Sequence, residues 1–268
     1  MTAGPAEESR IGYELDGNIA WITIRRPEKR NAMTFDMLHA FAAAVERAND
    51  DPAAWVVIVT GSGGSFCAGI DLQDLASTPE EKRSEGTKPW FLARCRKPTI
   101  AAIDGVAVGM GAEFTSMCDV RIASDGARFG WNFAARGLVP DTGAGTWLLP
   151  RLIGPQAALQ LLYRGTVISA DEALRLGYVT AVVAPEQLAE AARHEALSWI
   201  KNAPTALAAI RGLVYGGLER TIDDHLEHHR AALEVCFHSA DHKEGVSAFL
   251  ERREPRFTGF EASPPPSP

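Results

Sequence analysis

Two glycine-rich segments, each set behind a short apolar run, constrain this chain more than any other feature. Gly105-Val-Ala-Val-Gly-Met-Gly-Ala-Glu113 follows Thr99-Ile-Ala-Ala-Ile103 and precedes Phe114-Thr-Ser-Met-Cys-Asp-Val120. The apolar run reads as a buried strand and the segment after the glycines as a short helix. Gly63-Gly-Ser-Phe-Cys-Ala-Gly69 repeats the pattern behind Trp55-Val-Val-Ile-Val-Thr60. A glycine turn that opens a helix presents free backbone N–H groups, and the helix N-terminus adds positive potential. Two such turns can hold one oxyanion between them.

Other glycine-loop chemistries fit less well. A dinucleotide fold needs G-x-G-x-x-G, but after Gly109 and Gly111 the third position is Phe114. No Gly-Lys-Ser or Gly-Lys-Thr is present for a P-loop, and no G-x-S-x-G for a nucleophile elbow. A net charge of −7 argues against a nucleic-acid footprint, which favours a basic face. The four cysteines, Cys67, Cys95, Cys118 and Cys236, have no metal-ligand spacing and read as free thiols in a reducing cytoplasm. The first nine residues carry no secretory pattern, and no apolar run approaches the length of a membrane span. A soluble cytoplasmic protein is expected. His225 and His229 stand one helical turn apart without an H-E-x-x-H motif, so no metal site is assigned.

Between termini whose composition predicts disorder (1–9 and 261–268), short strands alternate with helices. Ile19–Ile24, Trp55–Thr60, Thr99–Ile103, Val120–Ala123 and Val179–Val183 read as strands. Phe35 to Asn49 reads as a helix with Leu38, Phe41, Ala42 and Val45 on one face, and Ser169-Ala-Asp-Glu172 as a capping box. This alternation predicts an α/β domain over residues 10–200. From about residue 201 to 260 only helices are expected, starting near Pro204, Thr221 and Asp241, the last with an Asp-x-x-Glu cap. Ser77 to Pro89 is charged and reads either as a flap beside the first glycine turn or as a solvated loop.

Taken together, Asn31-Ala-Met, Ser65-Phe-Cys-Ala-Gly-Ile-Asp-Leu72, Pro98-Thr-Ile-Ala-Ala-Ile-Asp-Gly105, Cys118-Asp119 and Phe129-Gly130 resemble the crotonase superfamily, the enoyl-CoA hydratase/isomerase family, from about Ile11 to Phe260. The resemblance implies a spiral of ββα units, a C-terminal helical trimerisation region, and a homotrimer or dimer of trimers. It implies an acyl-CoA substrate lying across both glycine turns, with coenzyme A as part of the substrate and no separate cofactor. Backbone N–H groups at Ala68 and Met110 would hold the thioester oxygen, so that an enolate is stabilised without reorganising water. Coenzyme A would meet the segment from Arg25 to Arg30, above all Arg26 and Arg30, together with Ala32, Ala68, Ile70, Asp71 and Leu72. Arg253 and Phe257 match the family's C-terminal basic-plus-Phe motif.

Family hydratases use two glutamates to hold one water. Glu113 matches the first, and Phe133 stands at the second, where a phenyl ring transfers no proton. Asp141, in Gly137-Leu-Val-Pro-Asp-Thr-Gly-Ala-Gly145, matches the catalytic aspartate of several isomerase branches of the family. Its residues also suit an N-cap for a helix from Thr142 to Leu149. The favoured expectation is double-bond isomerisation of an enoyl-CoA with Asp141 and Glu113 at the reacting carbons. Hydration using both carboxylates and a non-catalytic acyl-CoA-binding protein are the alternatives, with Met110 and Phe133 narrowing the acyl path.

Overall fold

A computed structural model describes residues 10–79 and 90–260. The expected flap from position 80 onward, and both termini expected to be disordered, fall outside the described residues. The strands are β1 (Ile11–Asp16), β2 (Ile19–Ile24), β3 (Val56–Gly61), β4 (Thr99–Ile103), β5 (Val106–Val108), β6 (Val120–Ser124), β7 (Arg128–Gly130), β8 (Val167–Ser169) and β9 (Ala181–Val183). Six of them form one sheet in the order β1-β2-β3-β4-β6-β9, parallel except for the β1–β2 hairpin. The other three form a small sheet in the order β5-β7-β8.

Central parallel strands are covered on both faces, which is why Val56-Val-Ile-Val59 is a continuous apolar run rather than an alternating one. The pleat sends Val57, Val59, Ala101 and Ile103 into one core and Val56, Ile58, Ile100 and Ala102 into the other. The second core is closed by Leu188, Ala192 and Ala196 of a long helix, residues 188–200. The first is closed by the helix α1 (Phe35–Asp50), whose buried residues include Leu38, Phe41 and Val45, the stripe read from the sequence. Thr34 caps α1 by accepting from Met37 N–H.

Successive turns of the chain lay one segment in the large sheet, a second across it, and then a helix. After β3 the chain reaches Cys67, which bridges Ala107 of β5, and continues into α2 (Leu72–Ser77). After β4 and β5 comes α3 (Met110–Met117), and after β6 comes β7, paired to β5. One turn earlier, Met33 bridges Ile70 in the same parallel sense. This stacking sets the two glycine turns against each other.

Beyond β7 run α4 (Ala144–Trp147), α5 (Leu149–Ile153), α6 (Pro155–Arg164), α7 (Ala170–Arg175), α8 (Leu188–Ile200), α9 (Pro204–Gly217), α10 (Ile222–His238) and α11 (Ala240–Glu251). Ser169 caps α7 as its motif predicts. Two capping expectations change. The helix expected over Thr142–Leu149 is split into α4 and α5, and its N-cap is Gly143 with no side-chain cap, so Asp141 does not cap it. Ser239, not Asp241, caps α11 by accepting from His242 N–H. Asp241 instead accepts from Thr205 Oγ1 and from Thr258 N–H.

The C-terminal helices meet the core through one buried knot. Arg211 of α9 donates from Nε to both oxygens of Asp119 and from Nη1 to Ala93 O, while Tyr215 donates to Asp119 Oδ1. Helix α10 buries no residue at all, and Phe249 and Leu250 of α11 remain 82% and 74% exposed.

Candidate active site

The first glycine turn is held from beneath by Asn31, which is fully buried. Its Nδ2 donates to Ser62 O at 2.9 Å and Ser65 O at 2.5 Å, and its Oδ1 accepts from Arg26 N–H at 2.7 Å. The second turn presses directly on the first. A β-carbon added at Gly111 would overlap Cys67 O and lie 2.9 Å from Cys67 C, so only glycine fits this approach. One added at Gly69 would lie 3.5 Å from Met110 N. Gly69 thus packs against the start of α3, and both Gly69 and Met110 line one cavity.

Which amides face that space follows from the hydrogen bonds. Met33 N–H donates to Gly69 O and Asp71 N–H donates to Met33 O, both at 2.8 Å. In such a parallel bridge the intervening residue turns its own N–H to the opposite side. Ile70 N–H is therefore aimed away from Met33 and has no partner among the described residues. Met110 N–H, the first of α3, is likewise without one, as the first N–H groups of a helix have no intrahelical acceptor. Ala68 N–H, expected as the first donor, instead donates to Arg30 O at 3.0 Å. An amide already paired within the fold is not free for another acceptor, so the unpaired amides at this wall are those of Ile70 and Met110, and Ala68 contributes only to the wall. Ala68, Ile70 and Met110 all line a cavity of about 620 Å³.

The cavity is mostly apolar, with Phe35, Leu38, Phe91, Phe114 and Phe133 among its walls. Its ionisable carboxylate is that of Asp141, a residue exposed at the cavity rim, whose carboxyl is pushed up to about 6 by desolvation among the atoms packed around it. Glu113 sits behind this surface: it is fully buried and does not line the cavity. Thr142, which does line it, donates from Oγ1 to Glu113 Oε2 at 2.5 Å. Ala144 N–H donates to the same Oγ1, which leaves the hydroxyl proton for Glu113. Burial raises Glu113 to about 7, against the Thr142 hydrogen bond that favours its charged form, with the Asp141 charge adding to the rise. Phe133 lines the wall and supplies no polar atom there.

A family model described as enoyl-CoA hydratase/isomerase matches residues 14–260. The chain belongs to the enoyl-CoA hydratase/isomerase family. It is 40% identical to the crotonyl-CoA hydratase of Syntrophomonas wolfei, over 92% of this chain and 97% of that one. It is 34% identical to the 1,2-epoxyphenylacetyl-CoA isomerase of Escherichia coli, over 91% of this chain and 97% of that one. The crystal structure of the enoyl-CoA hydratase from Mycobacterium tuberculosis H37Rv superposes with a TM-score of 0.88 at 34% identity, covering 94% of this chain and 99% of that one. The protein is thus a crotonase-superfamily enzyme with the crotonase fold.

The residues expected to meet coenzyme A divide into three groups. Ala68, Ile70 and Leu72 line the cavity, and Leu72 is largely exposed at its edge. Arg26 and Asp71 are engaged with each other: Arg26 Nη1 donates to Asp71 Oδ2 at 2.7 Å and to Ala32 O at 2.9 Å. Asp71 also caps α2 by accepting from Gln73 and Asp74 N–H. Burial raises the Asp71 carboxyl, but Arg26 and these two N–H groups outweigh it and hold it below the usual range. This pair braces the first turn, while Arg30 next to it is exposed. Arg253 and Phe257 do not reach the cavity of their own chain. Arg253 is paired to Glu244 and Glu251, and Phe257 packs near Gly245 of α11 in a pocket also lined by Thr205 and Ala206 of α9.

Sequence reasoning missed the contact of Thr142 with Glu113, which needs Glu113 beneath it, and the unpaired amide of Ile70, which depends on the bridge to Met33. The rings of His225 and His229 lie 6.4 Å apart, and no group of three potential metal ligands occurs among the described residues. Nor is any helix among them long and apolar enough to cross a membrane.

Proposed function

We propose that the protein acts on an enoyl-CoA thioester and moves its double bond between the 2,3 and 3,4 positions. The observation that carries this reading is the placement of the two acids. Asp141 lines the cavity with a carboxyl poised near 6, whereas Glu113 is enclosed and bound by Thr142. A two-carboxylate water site needs both acids at the cavity, and Phe133 occupies the other position from which one would act.

In the forward direction the thioester oxygen accepts from Ile70 and Met110 N–H. Asp141 removes a proton from C4 of a 2-enoyl chain, the C4–H electrons form the 3,4 double bond, the 2,3 pair becomes a C1–C2 double bond, and the carbonyl π pair moves onto the C1 oxygen, giving a dienolate. The two amides offset that charge without rearranging solvent. The protonated Asp141 then returns its proton to C2, and the oxygen's pair reforms the carbonyl. A base near 6 is ionised at neutral pH and still strong enough to accept a proton.

Hydration is the second reading, because several relatives, including the one from Syntrophomonas wolfei, are named hydratases. It shares the enolate step and needs a water between Glu113 and Asp141. Offering a 2-enoyl-CoA and a 3-enoyl-CoA and following products separates the two. Asp141→Asn should lower isomerisation by about 10²–10⁴-fold, the usual worth of a positioned acid or base. Isomerisation undiminished in that variant removes Asp141 as the base.

The same reading includes a homotrimer or dimer of trimers, because α10 and α11 expose Ile222, Val235, Phe249 and Leu250 on helices that a lone chain leaves uncovered. The free thiols of Cys67, Cys95, Cys118 and Cys236 fit a reducing compartment, and we place the enzyme in the cytoplasm.

A further inference from the structure

Asp141 stands on a turn with few anchors of its own. Gly143 N–H reaches Pro140 O at 3.3 Å, and Gly143, in the left-handed region, caps α4 without a side chain. Among the described residues, the side-chain hydrogen bond that fastens this turn to the interior is that of Thr142, through its hydroxyl on Glu113. Glu113 in turn is fixed on α3, the helix whose first N–H is half of the proposed oxyanion hole. Its other oxygen, Oε1, has no full hydrogen bond among the described residues and lies beside Gly145, where a β-carbon would overlap it; the backbone N–H groups of Gly145 and Thr142 favour the charge of this carboxyl. Gly145 is thus the space that lets Glu113 adopt the position from which it holds Thr142.

We infer that Glu113 and Thr142 form a positioning pair, which ties the Asp141 turn to the helix bearing the oxyanion hole and so sets base and hole in register. Glu113 acts through Thr142, not on the substrate. The inference rests on the reading of Asp141 as the base, and it departs from a Glu113 that activates water.

The pair also carries a titration. The groups that face Glu113 are few. Asp141 lies across the turn, and Tyr178 lies beneath with its phenol bound to Thr115 and Ser116. Arg121 stands behind Tyr178, 5.2 Å from its ring, and Cys67 lies on the Asp141 side. Burial pushes both Tyr178 and Cys67 to about 12, so both stay neutral where Glu113 titrates, near 7. An ionised Glu113 accepts a stronger, charge-assisted bond from Thr142 than a protonated one. The turn is therefore held most firmly above that value.

The test compares Thr142→Val, Thr142→Ser, Glu113→Gln and Asp141→Asn in kcat, KM and the pH profile of isomerisation. Thr142→Val should lose about 10- to 100-fold in kcat, the effect of a reacting group displaced by under an ångström, with KM changed less than about 3-fold. Thr142→Ser, which keeps the hydroxyl, should return to within about 3-fold of the parent. The parent profile should climb in two steps, near 6 and near 7, and Glu113→Gln should keep only the first. Thr142→Val should move the second step upward, because Glu113 loses the donor that favours its charge.

A Thr142→Val enzyme with parental kcat and profile overturns the inference and leaves Asp141 as base. So does a Glu113→Gln enzyme as inactive as Asp141→Asn, which would put Glu113 on the substrate. Full activity in Asp141→Asn overturns the base assignment and the inference with it. Should Thr142→Val not fold, the Glu113→Gln profile decides, a retained second step counting against the pair.

Discussion

Gly111 offers a direct test of the two-turn arrangement, because it is a point where the turns touch beside the unpaired amide of Met110. A β-carbon there would lie 2.9 Å from both the carbonyl carbon and the β-carbon of Cys67, and closer still to the carbonyl oxygen. Ordinary contacts begin near 3.4 Å, so Gly111→Ala must part the turns by at least half an ångström, and by more at the oxygen. The obstacle is backbone, which has no rotamer to swing aside. If α3 yields, the Met110–Gly111 peptide moves; if the first turn yields, the chain from Cys67 to Ile70 moves. Either way the spacing between Ile70 N–H and Met110 N–H changes.

Overpacking of this kind costs about 1–3 kcal/mol of stability. In a chain of this size that corresponds to a fall in Tm of roughly 2–10 °C. The catalytic loss should be much larger in proportion, because removing one oxyanion donor lowers kcat by about 10²–10³-fold. The assay is therefore paired: thermal unfolding, and kcat with KM on the preferred enoyl-CoA, measured well below the variant's Tm. A variant that unfolds a few degrees early yet turns over within about 3-fold of the parent would refute the assignment of the hole to these amides. Parental stability as well would mean the turns do not approach as described.

Two further outcomes follow from buried polar groups. Asn31→Ala strips the partners from Arg26 N–H, Ser62 O and Ser65 O and places alanine at φ 58, so urea unfolding should show a loss of about 3–5 kcal/mol; a loss below about 1 kcal/mol would show that the first turn is held by other contacts. Glu113 carries the opposite kind of signature in pH. Its folded value near 7 exceeds the ordinary 4.5, so the folded state binds the extra proton between them and wild-type stability declines as pH rises through that window. Glu113→Gln should remove this decline, gaining about 3 kcal/mol relative to the parent between pH 4.5 and pH 8 in chemical unfolding. A difference that stays constant across that range would mean Glu113 is not held protonated by burial.

Much of this architecture is legible in the sequence because local chemistry and tertiary role agree. Val56 to Val59 is apolar without alternation since a parallel strand buried on both faces needs nothing else, and the α1 stripe keeps a helical period because one face alone is covered. The glycine turns are visible for the same reason: only glycine permits the contact between Gly111 and Cys67. Motifs in order then identify the family, which the family model matches from residue 14 to 260. What is not legible depends on partners distant in the chain. Ala68 and Ile70 look equivalent in Cys67-Ala-Gly-Ile-Asp71, and only Arg30 O and the Met33 bridge decide which of their amides is free. Asp141 could cap or face a cavity until the start of α4 is fixed at Ala144, a shift of two residues from the sequence expectation.

The same logic joins two departures that look independent in the sequence. A buried carboxylate requires hydrogen-bond partners or a raised pKa, and Glu113 shows both answers. With Phe133 on the cavity wall, no carboxylate stands at that position, and the donor to Glu113 comes from within the protein. Thr142 supplies it, and does so from the residue next to Asp141. On the proposed reading, a phenyl ring at position 133 and a base at position 141 belong together: Glu113 stays out of the cavity and, through Thr142, holds the turn that carries Asp141.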